Sequence, residues 1–263
     1  MRLAALLSAA FLSLPTAAAP AEEVDLELLL MVDVSRSMSA EELEIQRQGY
    51  ARALTGDAVA AALGRTLTGR IALAYVEWAG EYRQSIRHDW ALIEDRDDLE
   101  AFAATLLQGR SVTQSRTSIA SALRFGAFLI GANEFAGLRR VIDISGDGPN
   151  NQGGLVTEAR DEVLAEGITI NGLPLMTHDD YGARWRLEDL DIYYSRCVVG
   201  GPGAFVVPVT DWRDFSDAVT RKLVLEIAGA PVERLHAAQA DAPYDCQIGE
   251  KMWRRNRRFD DMP

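Results

Sequence analysis

The segment Val24-Asp-Leu-Glu-Leu-Leu-Leu-Met-Val-Asp33 constrains this chain more than any other. It alternates polar and apolar residues at its start and then turns continuously apolar, the pattern of a parallel strand covered on both faces. Its apolar run ends on a carboxylate, Asp33, followed by Val-Ser35-Arg-Ser37. Just beyond, Ser39 with Glu42 three residues later has the form of a capping box, and apolar positions recur at helical spacing toward Leu63. A buried strand leading into a helix is the opening of an α/β fold.

The rest of the chain extends that alternation. Strands are expected at Arg70 to Trp78, Tyr82 to Ile93, Arg140 to Ser145, Ile168 to Leu175 and Ala204 to Val209. The short Ala79-Gly80-Glu81 turn makes the second and third strands antiparallel neighbours. Helices are expected at Asp97 to Leu107, Thr117 to Ile130, Leu155 to Glu166, Leu187 to Val198 and Trp212 to Ile227. The expected fold is α/β: a doubly wound, mainly parallel six-stranded sheet with helices on both faces. Residues 22–229 form one domain, undivided by any Gly/Ser-rich or Pro-rich linker. After Gly229 the pattern stops, and residues 230–263 read as a surface tail with a basic run from Lys251 to Arg258.

Residues 1–21 have the layout of a cleaved secretory signal peptide: Arg2, an apolar run through Leu14, then small residues including Ala19 and Ala21. The run is too short for a comfortable membrane span, so the expectation is a periplasmic or secreted protein without stable membrane insertion. The formal charge of −12, or −13 once Arg2 is removed, argues against nucleic acid or an anionic membrane as partner. Cys197 and Cys246 are the two cysteines. Paired, they would tether the tail to the domain and contribute about 4 kcal/mol in the chain-entropy model; unpaired, they are two separate thiols, and the sequence leaves both open.

In an open α/β sheet, ligands collect beyond the carboxyl ends of the strands. Three such places are rich in oxygen: Asp33-x-Ser35-x-Ser37 after the first strand, Thr117 after the polar loop Gln108 to Arg116, and Ser145-Gly-Asp147-Gly after the fourth strand. Hydroxyls with one or two carboxylates form a hard donor set, suited to Mg²⁺. Each residue alone also has an ordinary explanation, since a serine caps helices and Gly-Asp-Gly makes turns. Asp143, inside its strand, reads as a buried structural carboxylate.

Together these motifs resemble the metal-ion-dependent adhesion site of von Willebrand factor A domains, over most of residues 24–229. The resemblance implies Asp33, Ser35, Ser37, Thr117 and Asp147 as metal ligands, with Mg²⁺ as the cation and Mn²⁺ or Ca²⁺ as alternatives. It implies an adhesion-type role, in which a protein partner offers an Asp or Glu carboxylate, rather than catalysis. Arg36 stands where the family commonly has Gly, and Gly146 where it commonly has Thr; neither change removes a ligand. The wording Asp143-Ile-Ser-Gly-Asp-Gly-Pro-Asn-Asn151 behind a signal peptide is similar to an exported bacterial subgroup, DUF1194, a name that carries no activity.

Two rival readings come from other classes. A haloacid dehalogenase-like phosphatase also sets an Asp after its first strand near Mg²⁺, but its general acid would stand at position 35, where this chain has a serine. A metal-stabilised sensor or scaffold would need the cation without any acidic partner. His178, Trp185, Tyr193 and Tyr194 lie near the expected binding rim, and the aromatic residues read equally well as core.

Overall fold

The computed structural model describes residues 21–177, 186–229 and 243–260, with side chains described through residue 256. The expected signal peptide, His178 and Trp185 lie outside the described residues, apart from residue 21. Five strands form the sheet: β1 (Glu22–Asp33), β2 (Ile71–Trp78), β3 (Gln84–Ile93), β4 (Phe135–Gly146) and β5 (Thr169–Pro174). Their order is β3-β2-β1-β4-β5. All neighbours are parallel except β2 and β3, the antiparallel pair expected from the short turn.

The continuous apolar stretch of β1 serves two cores at once. Leu28, Leu30 and Val32 pack on one face, with residues of α1 (Ala40–Leu54), α2 (Asp57–Leu63), α3 (Arg96–Leu106) and α7 (Phe215–Ala228). Leu29 and Met31 pack on the other, with α4 (Ile119–Ala132), α5 (Val156–Ala165) and the turn containing α6 (Leu190–Tyr193). The early polar positions Asp25 and Glu27 of β1 are buried too, and each carboxylate accepts hydrogen bonds. Asp25 accepts from Thr68 N at 2.8 Å and Gly69 N at 3.1 Å, and Glu27 accepts from Gly137 N and Asn133 Nδ2, both at 2.7 Å. Buried polar groups persist only when paired in this way.

One expectation is corrected. The ladder has five strands rather than six, because the segment expected at Ala204 to Val209 joins β5 only through isolated bridges at Gly172 with Val206 and Leu175 with Val209. Phe205 O, Val207 N and Val209 N bond to Gly172 N, Gly172 O and Pro174 O in parallel register. The step between them needs an N–H from position 174, and Pro174 has none. In the tail, the two cysteines pair as Cys197–Cys246, with Cα atoms 5.5 Å apart, and α8 (Ile248–Asp260) follows the disulfide.

The strand order places the functional region. Connections leave β1 toward β2 on one side, and β4 lies on the other, so the direction of winding reverses between β1 and β4. That reversal opens a crevice at the carboxyl ends of these two strands. Asp33 ends β1 there, and Asp147 follows directly on the end of β4 at Gly146.

Candidate functional site

The loop after β1 is held by its own hydrogen bonds. Asp33, fully buried, accepts from Ser35 N at 2.6 Å through Oδ1 and from Ser35 Oγ at 3.1 Å through Oδ2. Gln46 on α1 donates to the Asp33 carbonyl at 3.1 Å, tying the helix to the loop. The capping box forms as expected: Glu42 N donates to Ser39 Oγ at 3.2 Å, and Ser39 N to Glu42 Oε2 at 2.6 Å. Glu42 Oε1 also accepts from Trp212 Nε1 at 3.0 Å, so the box is anchored to the segment just before α7. Ser39 is therefore a cap and stands apart from the oxygen cluster. Ser39→Ala should lower stability by about 1 kcal/mol, read as a shifted urea midpoint with unchanged slope.

The two strand ends meet through hydroxyls. Ser35 Oγ and Ser37 Oγ are 2.9 Å apart, and Asp147 Oδ1 lies 2.8 Å from Ser37 Oγ and 3.4 Å from Ser35 Oγ. Two carboxylates and two hydroxyls thus form one connected group. Thr117 reaches the same place from the loop before α4, lining a small cavity with Ser37, Gly148 and Asn151. The structure accordingly brings Asp33, Ser35, Ser37 and Asp147 into direct contact and sets Thr117 on the adjoining wall.

Electrostatically this is a costly place for anions. Burial pushes the Asp33 carboxyl well above the ordinary carboxylate range, and the neighbouring Asp147 charge pushes it further. Burial likewise raises Asp147, to about 6, while its bond from Ser37 opposes the shift. Among the described residues no cluster of three or more His, Cys, Asp or Glu side chains is arranged to hold a metal. The group is a hydroxyl-rich set with two carboxylates, a hard-oxygen composition.

Several residues that build the site were not singled out from the sequence. Asn151 brackets Thr117, its side chain accepting from Thr117 N at 3.1 Å and its N–H donating to Thr117 O at 2.9 Å. Asn150, fully buried, accepts from Ala120 N at 3.0 Å and donates to Gly154 O at 2.9 Å, pinning the Asp147 loop to the start of α4. Their signal was visible as an Asn pair shortly after a strand-terminal Asp. Gly146 has no room for a side chain, since a Cβ would lie 2.8 Å from Tyr194 Oη and 3.0 Å from Asp33 Oδ2. Tyr194 fills that space and, with Tyr193, is core rather than rim.

The cavity beside Ser37 and Thr117 is roofed by α8, through Gly249 and Met252. Glu250 Oε1 accepts from Asn150 Nδ2 at 2.7 Å, and the Arg116 guanidinium lies 3.5 Å above the Trp253 ring. Arg116 is the one non-glycine with positive φ among the described residues, at 77°, immediately before Thr117. The tail is tethered with its basic side chains Lys251, Arg254 and Arg255 exposed, and its inner face is seated on the loops of the oxygen cluster.

Residues 23–231 match the model of a family described as a protein of unknown function, DUF1194. No curated protein matches the chain. Among solved structures, proximal thread matrix protein 1 from the mussel byssus aligns with a TM-score of 0.54 at 14% identity, covering 79% of this chain and 47% of that one. The pilus adhesin SpaC from Lactobacillus rhamnosus GG aligns with a TM-score of 0.56 at 12% identity, covering 81% of this chain and 31% of that one. A further structure of the mussel protein, with a zinc-occupied MIDAS motif, aligns with a TM-score of 0.52 at 13% identity, covering 80% and 49%. The chain therefore spans about half the length of the mussel protein and a third of the adhesin. At these identities the likeness is one of fold alone. Among the described residues no helix is long and apolar enough to cross a membrane.

Proposed function

The chain belongs to the DUF1194 family, and from that premise we propose that it is an exported, non-enzymatic protein-binding domain that works through a divalent cation. The observation that carries this reading is the convergence of Asp33, Ser35, Ser37 and Asp147 at the β1/β4 crevice, beside a cavity walled by Thr117. Two carboxylates match the charge of one divalent cation, and the remaining donors are neutral hydroxyls. Such a set suits Mg²⁺, with Mn²⁺ or Ca²⁺ as alternatives, ahead of softer metals. Asp33 and Asp147 would hold the cation directly or through water, and Ser35, Ser37 and Thr117 would approach it with their hydroxyls.

Few anionic ligands leave a bound cation with enough positive charge to attract an incoming carboxylate. The chain's own residues do the rest. Gln46 and the capping box fix the Ser35–Ser37 loop, and Asn150 and Asn151 fix the Asp147 and Thr117 loops, so the donors are set before a cation arrives. An Asp or Glu from a protein partner is the ligand that fits. Ser35 supports binding over phosphoryl chemistry, because a hydroxyl is a poor general acid at neutral pH.

The test is retention of periplasmic proteins on the immobilised chain in Mg²⁺, with and without chelator. Proteins released by chelation, and absent from a Ser35→Ala/Ser37→Ala column, are the expected result. Partners that survive chelation and bind the double variant equally would overturn the adhesion reading and favour a metal-stabilised scaffold.

A further inference from the structure

We propose that α8 is a built-in lid on the cation-binding face, held in place by the Cys197–Cys246 disulfide, so that a partner reaches the oxygen cluster only when the lid is displaced. The proposal rests on the reading of that cluster given above, and its test separates the two. Three features carry it: where the helix sits, how it is tethered and how short its seat is.

Its seat is made of the site's own loops. Gly249 lies so close to the Asn150 carbonyl oxygen that a Cβ there would overlap it, and a Cβ would also come within 3.0 Å of Pro149. Asn150 and Pro149 belong to the loop that carries Asp147. Trp253 stacks under Arg116, the residue before Thr117. Gly249 and Met252 then roof the space that Ser37, Thr117 and Asn151 wall, which is the side from which a ligand carboxylate would come. A glycine at this contact lets backbone meet backbone, and any larger residue would hold the helix off.

The tether acts at the start of the helix. Cys246, two residues before Ile248, is bonded to Cys197, which is fully buried in the turn after α6. Tyr244 adds a hydrogen bond to Asp189 Oδ2 at 3.0 Å and an edge contact with Tyr193. A segment fixed at one end finds its seat again rapidly after opening, because its effective local concentration is high.

The grip along the helix is short and largely polar: Asn150 Nδ2 donates to Glu250 Oε1 at 2.7 Å, Trp253 stacks on Arg116, and Ile248 packs partly against the core. Among its described side chains only Met252 is buried, at 8% exposure, and Lys251, Arg254 and Arg255 are exposed. A helix of 13 residues is marginal alone in water, so its order depends on this seat. By comparison, α7 buries the larger apolar stripe Phe215, Val219, Leu223 and Ile227. Hinged by a covalent bond and seated through one short face, α8 has the mechanics of a lid.

The experiment uses the full chain and two ways of loosening α8: Gly249→Val, which forces a side chain against Asn150, and Cys197→Ser/Cys246→Ser, which cuts the tether. Mn²⁺ alone is the first probe, with its release to excess chelator followed by electron paramagnetic resonance. Alkylation of Thr117→Cys by iodoacetamide in metal-free protein, with and without Gly249→Val, is the second. Cooperative melting confirms that each variant is folded. Both loosened variants should release Mn²⁺ at least tenfold faster than the parent, and Thr117→Cys should be alkylated at least tenfold faster with Gly249→Val. Faster alkylation with no Mn²⁺ binding in any variant keeps the lid and removes the cation reading. Alkylation unchanged by Gly249→Val overturns the lid, whatever the metal does.

Discussion

Replacing Asp147 with Asn should make the metal-free chain more stable at pH 7.5 and unresponsive to Mg²⁺, two effects of opposite sign from a single substitution. The first follows from burial, which raises the Asp147 pKa to about 6 in the folded chain from an ordinary value of 3.8. An acid with a raised folded pKa holds its proton more tightly when folded, so stability falls as pH rises from about 4 to about 6 and the full penalty is present above that. Two pKa units correspond to about 3 kcal/mol; Asp147 retains partial solvent contact, which reduces the expected gain to about 1–2 kcal/mol. The advantage of the variant should therefore close as the pH falls from about 6 toward 4.

The second effect is the loss of one of two anionic donors. For the parent chain, Mg²⁺ at a hundred times its dissociation constant stabilises by about 2.7 kcal/mol. In a domain of this size that is a rise in Tm of roughly 5–10 °C. Thermal melts at pH 7.5 and 5.5, with Mg²⁺ or chelator, measure both effects together. A variant less stable than the parent without metal, yet raised equally by Mg²⁺, would sink the assignment of Asp147 to a cation site.

What could be read from the sequence was whatever depends on local pattern. The unbroken apolar run of β1 signalled burial on both faces, and Leu28 and Leu29 indeed point into different cores. The capping box at Ser39 and Glu42 needed only three-residue spacing to be recognised. The placement of Asp33 and Asp147 side by side followed from parallel winding, since residues after β1 and β4 must share one end of the sheet.

What escaped depends on contacts far apart in the chain. Pro174 disables one step of a ladder whose other strand lies some thirty residues on, so the sixth strand looked complete from its own residues. The basic run of α8 reads as solvated because its outer face is solvated; that its inner face meets Asn150 and Arg116 is set by the disulfide and by the glycine at 249. Tyr194 became core because Gly146 leaves a gap for its hydroxyl, a complementarity spanning 48 positions that no single motif carries.

Asp143 separates these two kinds of information, and it leads to the largest stability effect expected in the molecule. As a strand-interior carboxylate it read as structural, and it lies 2.7 Å from Lys222 Nζ, with both side chains almost fully buried. Lys222 also pairs with Glu226 at 2.5 Å, and Asn171 Nδ2 donates to Glu226 at 2.9 Å. One lysine thus joins two carboxylates between β4 and α7. Burial and the Asp143 charge push Glu226 up to about 7, so the cluster sits near its limit of tolerable charge.

Lys222→Met keeps the length of the side chain and removes the only cation of this triad. Breaking a buried ion pair from one side typically costs about 3–5 kcal/mol, since the partner is left charged in an apolar setting. Tm should fall by roughly 6–20 °C at pH 7.5. Glu226 and Asp143 both have raised folded pKa values, and losing Lys222, which holds both down, raises them further, so protonation offsets the loss and the deficit should shrink as the pH is lowered from 7.5. Neutralising the anions as well, in Asp143→Asn/Lys222→Met/Glu226→Gln, should recover most of the stability. The folded Lys222→Met chain should still gain stability from Mg²⁺, because the triad is linked to β4 and α7 rather than to the Ser35–Ser37 loop. A Mg²⁺ response lost with Lys222 would instead place Asp143 within the cation site and contradict the separation drawn between the two clusters.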